Sequence, residues 1–243
     1  MTYCVGMVLN RGIVFMSDTR TNAGIDNIST FQKMFTWEKP GERVLTLMTA
    51  GNLATTQAVV SILDERNKVA AKRNPSLFAA PSMFQAARLV ADTLRDVIAH
   101  HADTGQRADA SFNATMILGG QIGTEPPRLF LIYPEGNFIE AGADTPFFQI
   151  GETKYGRPIL VRAYEPNLSF EEAAKLLMVS FDSTVKANLS VGAPFDLSFY
   201  EADSLKAGYR TRIEADQEYY QTISSAWGEA LKGALDSLPK FSR

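Results

Sequence analysis

The sequence predicts an α+β fold, and three observations predict it. β-rich runs come first and in succession, two helical stretches follow together, and the remaining strands return afterwards. Segregated runs of this kind favour stacked α+β layers over the strict alternation of a doubly wound sheet. Residues 3–9 and 13–17 are rich in β-formers and flank Asn10-Arg11-Gly12, which predicts an opening hairpin. Residues 35–37 and 43–48 are the next two strands, divided by the turn signal Lys39-Pro40-Gly41.

Two helices are expected next. Residues 52–72 place Ala58, Ile62, Leu63 and Val69 near helical spacing, and residues 82–101 do the same with Phe84, Ala87, Val90, Leu94 and Val97. Ser82 with Gln85 three residues on forms a capping-box pattern. Strands then return over 114–119 and 129–133, the latter closed by the turn Pro134-Glu135-Gly136-Asn137, and over 147–150. A helix over 169–186 carries Ser169 as its N-cap, with Glu171 and Glu172 in the favourable first turn. Residues 195–200 alternate as an edge or closing strand. A last amphipathic helix spans 209–238, with Ile213, Tyr220, Ile223, Trp227, Leu231, Ala234 and Leu238 on one face. The division expected is a domain over 1–200 and a helical extension over 201–243, packed on that domain or on a neighbouring subunit.

Bulk properties narrow the function. A chain of 243 residues can bury a real core. A net charge of −3 argues against a nucleic-acid binder, and no uncharged apolar run approaches a membrane span. Cys4 is the only cysteine, which excludes an internal disulfide framework or a Cys-rich zinc site. No secretory signal is legible, so a cytoplasmic home is expected. His100-His101 are adjacent, a spacing unsuited to metal ligation, and Gly119-Gly120 lacks the lysine and hydroxyl of a phosphate loop. No metal or organic cofactor is expected.

Chemistry concentrates at Met1-Thr2. Removal of Met1 would leave a threonine carrying both a hydroxyl and a free α-amine. The hydroxyl needs a base, and an α-amine, with an unperturbed pKa of about 7.7–8.0, is partly neutral near pH 7. A nearby cation would favour hydroxyl deprotonation and lower the amine's pKa, while a carboxylate would orient that cation. Lys33 and Asp18 supply those parts if the fold brings them to Thr2.

Val14-Phe15-Met16-Ser17-Asp18-Thr19-Arg20, then Lys33, then Leu47-Met48-Thr49-Ala50-Gly51 stand in the order found in proteasome β-subunits, a family the chain resembles over about residues 2–200. The stretch from Phe15 to Gly24 and the run Ala187-Asn188-Leu189-Ser190-Val191-Gly192 look most like the bacterial ancestral β-subunit group, Anbu. The resemblance implies a four-layer αββα sandwich with an extra C-terminal helix. It implies Thr2 as nucleophile, Asp18 as the acid, Lys33 as the tuning cation, Arg20 as a structural base, and the Gly51 N–H in the oxyanion hole. Thr21 and Thr49 would line the substrate pocket.

Three departures stand out. The threonine-to-lysine gap is one residue shorter than usual. Gly151-Glu152-Thr153 replaces the family's Gly-Ser-Gly, putting Glu152 where a serine assists the threonine. The late Asp-x-x-Ser-Gly pattern keeps Ser190, but its aspartate is lost or replaced by Asn188. The expected function is amide-bond hydrolysis on peptides by a homo-oligomer, a ring or an open spiral, with an ATP-dependent unfoldase as a possible partner. A small-molecule or selected-peptide amidase on the same fold, and a non-catalytic assembly protein that keeps Met1, remain alternatives.

Overall fold

The computed structural model describes residues 1–22, 28–68, 75–102 and 112–242. β1 (Tyr3–Leu9) and β2 (Gly12–Asp18) form the opening hairpin, in register Leu9 to Gly12. Gly12 is required there: its φ is +146°, and a Cβ would lie 1.9 Å from the Tyr200 carbonyl oxygen of the strand alongside. β3 (Arg20–Asn22) and β4 (Ile28–Thr30) form a small separate ribbon. β5 (Met34–Lys39) and β6 (Arg43–Gly51) follow, joined at Gly41 with φ +78°.

α1 (Leu53–Lys68) and α2 (Met83–Ala102) match the two expected helices; Val69 and the rest of the first expected helix lie outside the described residues. The strands β7 (Ala114–Ile122), β8 (Arg128–Ile132), β9 (Phe138–Glu140) and β10 (Phe147–Gly151) come next. α3 (Arg157–Ala163) precedes α4 (Phe170–Ala187), whose N-terminus carries a complete capping box between Ser169 and Glu172. β11 (Phe195–Glu201), β12 (Arg210–Ile213) and α5 (Glu218–Asp236) complete the chain.

Two antiparallel five-stranded sheets result, ordered β10-β1-β2-β11-β12 and β5-β6-β7-β8-β9. Three apolar clusters define the layers. One joins α1 and α2 to the second sheet through Leu45, Leu47, Leu63, Val90 and Leu118. A second joins α3, α4 and α5 to the first sheet through Tyr3, Val5, Met7, Leu177 and Tyr220. The third lies between the sheets, with Cys4, Ile13, Phe15, Met48, Ile117 and Leu129. Tyr3, Val5, Met7 and Leu9 face helices while Cys4 faces the other sheet, so both faces of β1 are buried and the strand reads as one apolar run. The order of layers is therefore αββα, as the resemblance implied. Sheet-to-sheet contact is close enough at Gly119 that a Cβ would meet the Phe15 ring of the other sheet at 2.7 Å.

β3, β4, β9 and α3 are additions to the expected elements, and two expected elements differ. Residues 210–213 are strand, not helix: they pair with Phe195–Ser198, Arg212 makes a bidentate ion pair with Asp196 across the two strands, and Ile213 enters the core of the sheet. The helix starts only at Glu218. Because β12 lies outside β11, residues 195–200 form an interior strand between β2 and β12 rather than an edge. Among the described residues no helix is long and apolar enough to cross a membrane.

Candidate active site

β1 fixes Thr2. On the helix side of the strand, the Tyr3 hydroxyl is locked into a buried network, 2.7 Å from Ser180 Oγ and 2.7 Å from the donating Gln149 Nε2. Burial raises that phenol to about 12, so it stays a neutral anchor. On the strand edge, Glu152 N–H donates to the Thr2 carbonyl at 2.7 Å. Gly151 permits this approach with φ +83°; a Cβ there would lie 1.9 Å from the Thr2 oxygen. Thr2 itself is buried and borders a cavity of about 420 Å³.

Asp18 ends β2 beside the start of β1, and its Oδ1 accepts from the Tyr3 N–H at 2.9 Å. Lys33, just before β5, donates from Nζ to the same oxygen at 2.8 Å and to the Arg20 carbonyl at 2.6 Å. Both members of this ion pair are buried. Burial raises the Asp18 carboxyl from 3.8 to about 6, against the opposing pull of Lys33, the Tyr3 N–H and the Gly192 N–H. The Lys33 carbonyl accepts from Thr49 N–H at 3.0 Å, which ties the lysine to β6.

The cavity wall contains Thr2, Thr21, Lys33, Thr49 and Gly51, drawn from four separate stretches of the sequence. Exposed Met1 forms part of the same wall. Its amine is pulled below the ordinary 8.0, by burial first and by Lys33 second, against Asp18. While Met1 is attached, the Thr2 nitrogen is a peptide N–H with no basic lone pair. Gly51 has φ +116°, and a Cβ would fall 2.4 Å from the Asn113 carbonyl oxygen.

A surrounding layer holds the remaining expected residues. Arg20 reaches away from the cavity, donating to the Leu189 carbonyl at 3.1 Å and pressing so closely on Gly192 that a Cβ there would lie 2.3 Å from its guanidinium carbon. Buried Glu152 accepts from Asn188 Nδ2 at 3.0 Å and from the Lys154 N–H at 3.2 Å. Asn188 Oδ1 in turn accepts from the Ser190 N–H at 3.0 Å. Ser190 enters this arrangement through its backbone and does not border the cavity.

Sequence reasoning missed the Tyr3–Gln149–Ser180 anchor and three wall residues, Gln32, Leu53 and Thr56. Leu53 and Thr56 stand three apart in the first turn after Gly51, so helical spacing alone would have placed them on one side. No such signal exists for Gln149, which is a polar residue inside an apolar run. Among the described residues no group of three or more His, Cys, Asp or Glu side chains could hold a metal ion.

An αββα sandwich with a threonine just before an inner strand, sharing a cavity wall with the lysine of a buried Asp–Lys pair, is the proteasome-like N-terminal-nucleophile hydrolase fold. Residues 2–198 match the proteasome subunit family. The chain belongs to that family, and within it to the Anbu group. It is 50% identical to a Gly-1 mutant of Anbu from Hyphomicrobium sp. strain MC1 over 100% of both chains, with a TM-score of 0.92. Anbu (ancestral beta-subunit) from Yersinia bercovieri is 45% identical over 99% of this chain and 100% of its own, with a TM-score of 0.91. A third similar structure is the helical assembly of the Anbu complex from Pseudomonas aeruginosa, 46% identical over 99% and 98% of the two chains, with a TM-score of 0.92. No curated protein matches the chain significantly.

Proposed function

We propose that the chain, once Met1 is removed, is a threonine hydrolase that cleaves amide bonds in peptides. The observation that carries this reading is Lys33, ion-paired with buried Asp18, in the wall of a cavity that also holds Thr2 and Gly51. Thr2 Oγ would attack the substrate carbonyl carbon and pass its proton to its own α-amine. The Gly51 N–H would hold the developing oxyanion, a donor whose loss typically costs about 100- to 1,000-fold in rate. Collapse of the tetrahedral intermediate breaks the C–N bond, and the leaving amine takes the proton back from the Thr2 ammonium. Water then hydrolyses the Thr2 ester, with the amine again accepting the proton. Lys33 lowers the basicity of the amine and stabilises Oγ as it loses its proton; Asp18 holds Lys33 in place.

The other Anbu structures include a helical assembly, which supports a multi-subunit state for this chain too. We place it in the cytoplasm, with peptide substrates and a possible ATP-driven unfoldase to deliver them. The alternative is a non-catalytic assembly or binding protein that keeps Met1. Intact-mass analysis of protein from its native host separates the two. The expected result is loss of Met1 and one adduct with a peptide epoxyketone, absent in Thr2→Ala. Retained Met1 with no adduct would refute the enzyme reading.

A further inference from the structure

A second cavity adjoins the one at Thr2. Its volume is about 300 Å³, and Gln32, Met34, Asp196, Arg210 and Arg212 stand in its wall. Gln32 lines both cavities, so the two meet at one side chain just before β5. β1 and β10 pack on β6, β7 and β8, which leaves the edge strand β5 opposite β11 and β12. Partners in register across an antiparallel sheet share a face. Gly6, Phe15, Ser198 and Arg210 form one such row, and Cys4, Ser17, Asp196 and Arg212 another. Cys4 and Phe15 belong to the core between the sheets, so both arginines lie on that inner face where it runs out past β5.

Charge decides what this second cavity takes. Arg212 is committed: its Nε and Nη2 donate to the two Asp196 oxygens at 2.8 and 3.0 Å, so that pair carries no net charge. Arg210 is not committed. Among the described residues nothing pairs with its guanidinium, and the other lining residues bring no further charge. One uncompensated cation is left in the wall. Its planar fork matches the two oxygens of a carboxylate. Arg210 lies three strands from β1, about 14 Å at the usual strand spacing, and four residues along from the level of Thr2, about 13 Å. The separation is therefore about 20 Å, which an extended peptide covers in about six residues.

We infer that Arg210 binds a carboxylate of the substrate, so that the site selects peptides with an acidic group within about six residues of the cleaved bond. The inference rests on the reading of the chain as a peptide hydrolase, because that reading puts an extended peptide across both cavities. The carboxylate belongs to an aspartate or glutamate side chain or to the free C-terminus of the peptide. Arg210 touches none of the reacting atoms; it sets which peptide is held.

Titration calorimetry in a Thr2→Ala background tests it, since peptide is then held and not cut. One set of neutral peptides, capped at both ends, carries a single glutamate stepped along the chain. A second set has no glutamate but a free C-terminal carboxylate, and a capped peptide with neither is the reference. At low salt the best member of a set should bind about fivefold tighter than the reference or better, as for an ion pair partly open to water. High salt should shrink that gain. Arg210→Ala should remove it and Arg210→Lys should keep part of it. Arg210→Glu should turn the preference to a lysine-bearing peptide, a gain that a misfolded chain could not show. Arg88→Ala, an exposed change on α2, should leave the selectivity as it was. The set that shows the gain identifies the source of the carboxylate. No gain in either set, or a gain that survives Arg210→Ala, would overturn the inference. Adduct formation by the native chain with a peptide epoxyketone is read separately: its absence beside acid-selective binding would refute hydrolysis at Thr2 and leave the Arg210 site standing.

Discussion

Lys33→Met isolates what the buried ion pair does for the protein. Asp18 is fully buried, and its carboxyl sits at about 6 rather than 3.8 because burial outweighs the stabilisation from Lys33. Between those two values the native chain keeps a proton that the unfolded chain has released, so stability falls as pH rises through that window. At pH 7 the ionised carboxylate costs the fold about 3 kcal/mol, at 1.36 kcal/mol per pH unit. Without Lys33 the carboxyl moves further up, because the opposing pull on it is gone, and the cost at pH 7 grows until protonation caps it. The pH-dependent loss expected on substitution at pH 7 is on the order of 1 kcal/mol. At pH 5 both proteins hold Asp18 largely protonated, and that part of the loss disappears.

Methionine keeps most of the volume of the lysine stem, and relief from burying an ammonium is the same at both pH values. The comparison between pH 5 and pH 7 therefore reads Asp18 alone. Urea unfolding at matched protein concentration, since association shifts apparent stability, supplies the four free energies. Adding Asp18→Asn should erase the pH-dependent part. An equal loss at both pH values, or a larger loss at pH 5, would refute the account of the pair.

The same carboxyl predicts an acid limb for peptide hydrolysis: kcat/KM should fall as pH drops through about 6, as Asp18 takes up a proton and releases Lys33. A profile flat down to pH 5 would remove Asp18 from the mechanism. Asn188→Asp should destabilise the chain by about 1–3 kcal/mol, because it replaces the amide donor to Glu152 with a second carboxylate. Glu152→Ser in the same chain should recover most of that loss in thermal or urea unfolding, and failure to recover it would disprove the coupling.

How much was legible in the sequence follows from where the information sits. Hairpins were legible because their turns are local: Gly12 and Gly41 adopt positive φ, which few other residues tolerate. The capping box of α4 is equally local, contained in Ser169 and Glu172. β12 was not legible, since its strand character comes from pairing with Phe195–Ser198, which the periodicity of residues 209–238 cannot express. The α3 segment is only seven residues long and opens on Gly156-Arg157-Pro158, too short for a helical period to show. At the site, Thr2, Asp18, Lys33 and Gly51 were named through resemblance, and spacing alone would not have joined them. Their meeting depends on β1, β2, β5 and β6 lying in two stacked sheets.

The departures from the family pattern make sense as a pair. Where proteasome subunits usually carry a serine at position 152, this chain places a carboxylate, buried and next to the strand end that holds Thr2. An aspartate at position 188 would face it at about the 3.0 Å now spanned by the Asn188 amide, and two carboxylates that close cannot both be ionised. Asparagine removes the charge and supplies the donor. Its own side-chain oxygen still holds the Ser190 N–H, so the loop gripped by Arg20 at Leu189 keeps its shape. Reading either substitution alone suggests a damaged site; together they form a hydrogen-bonded unit.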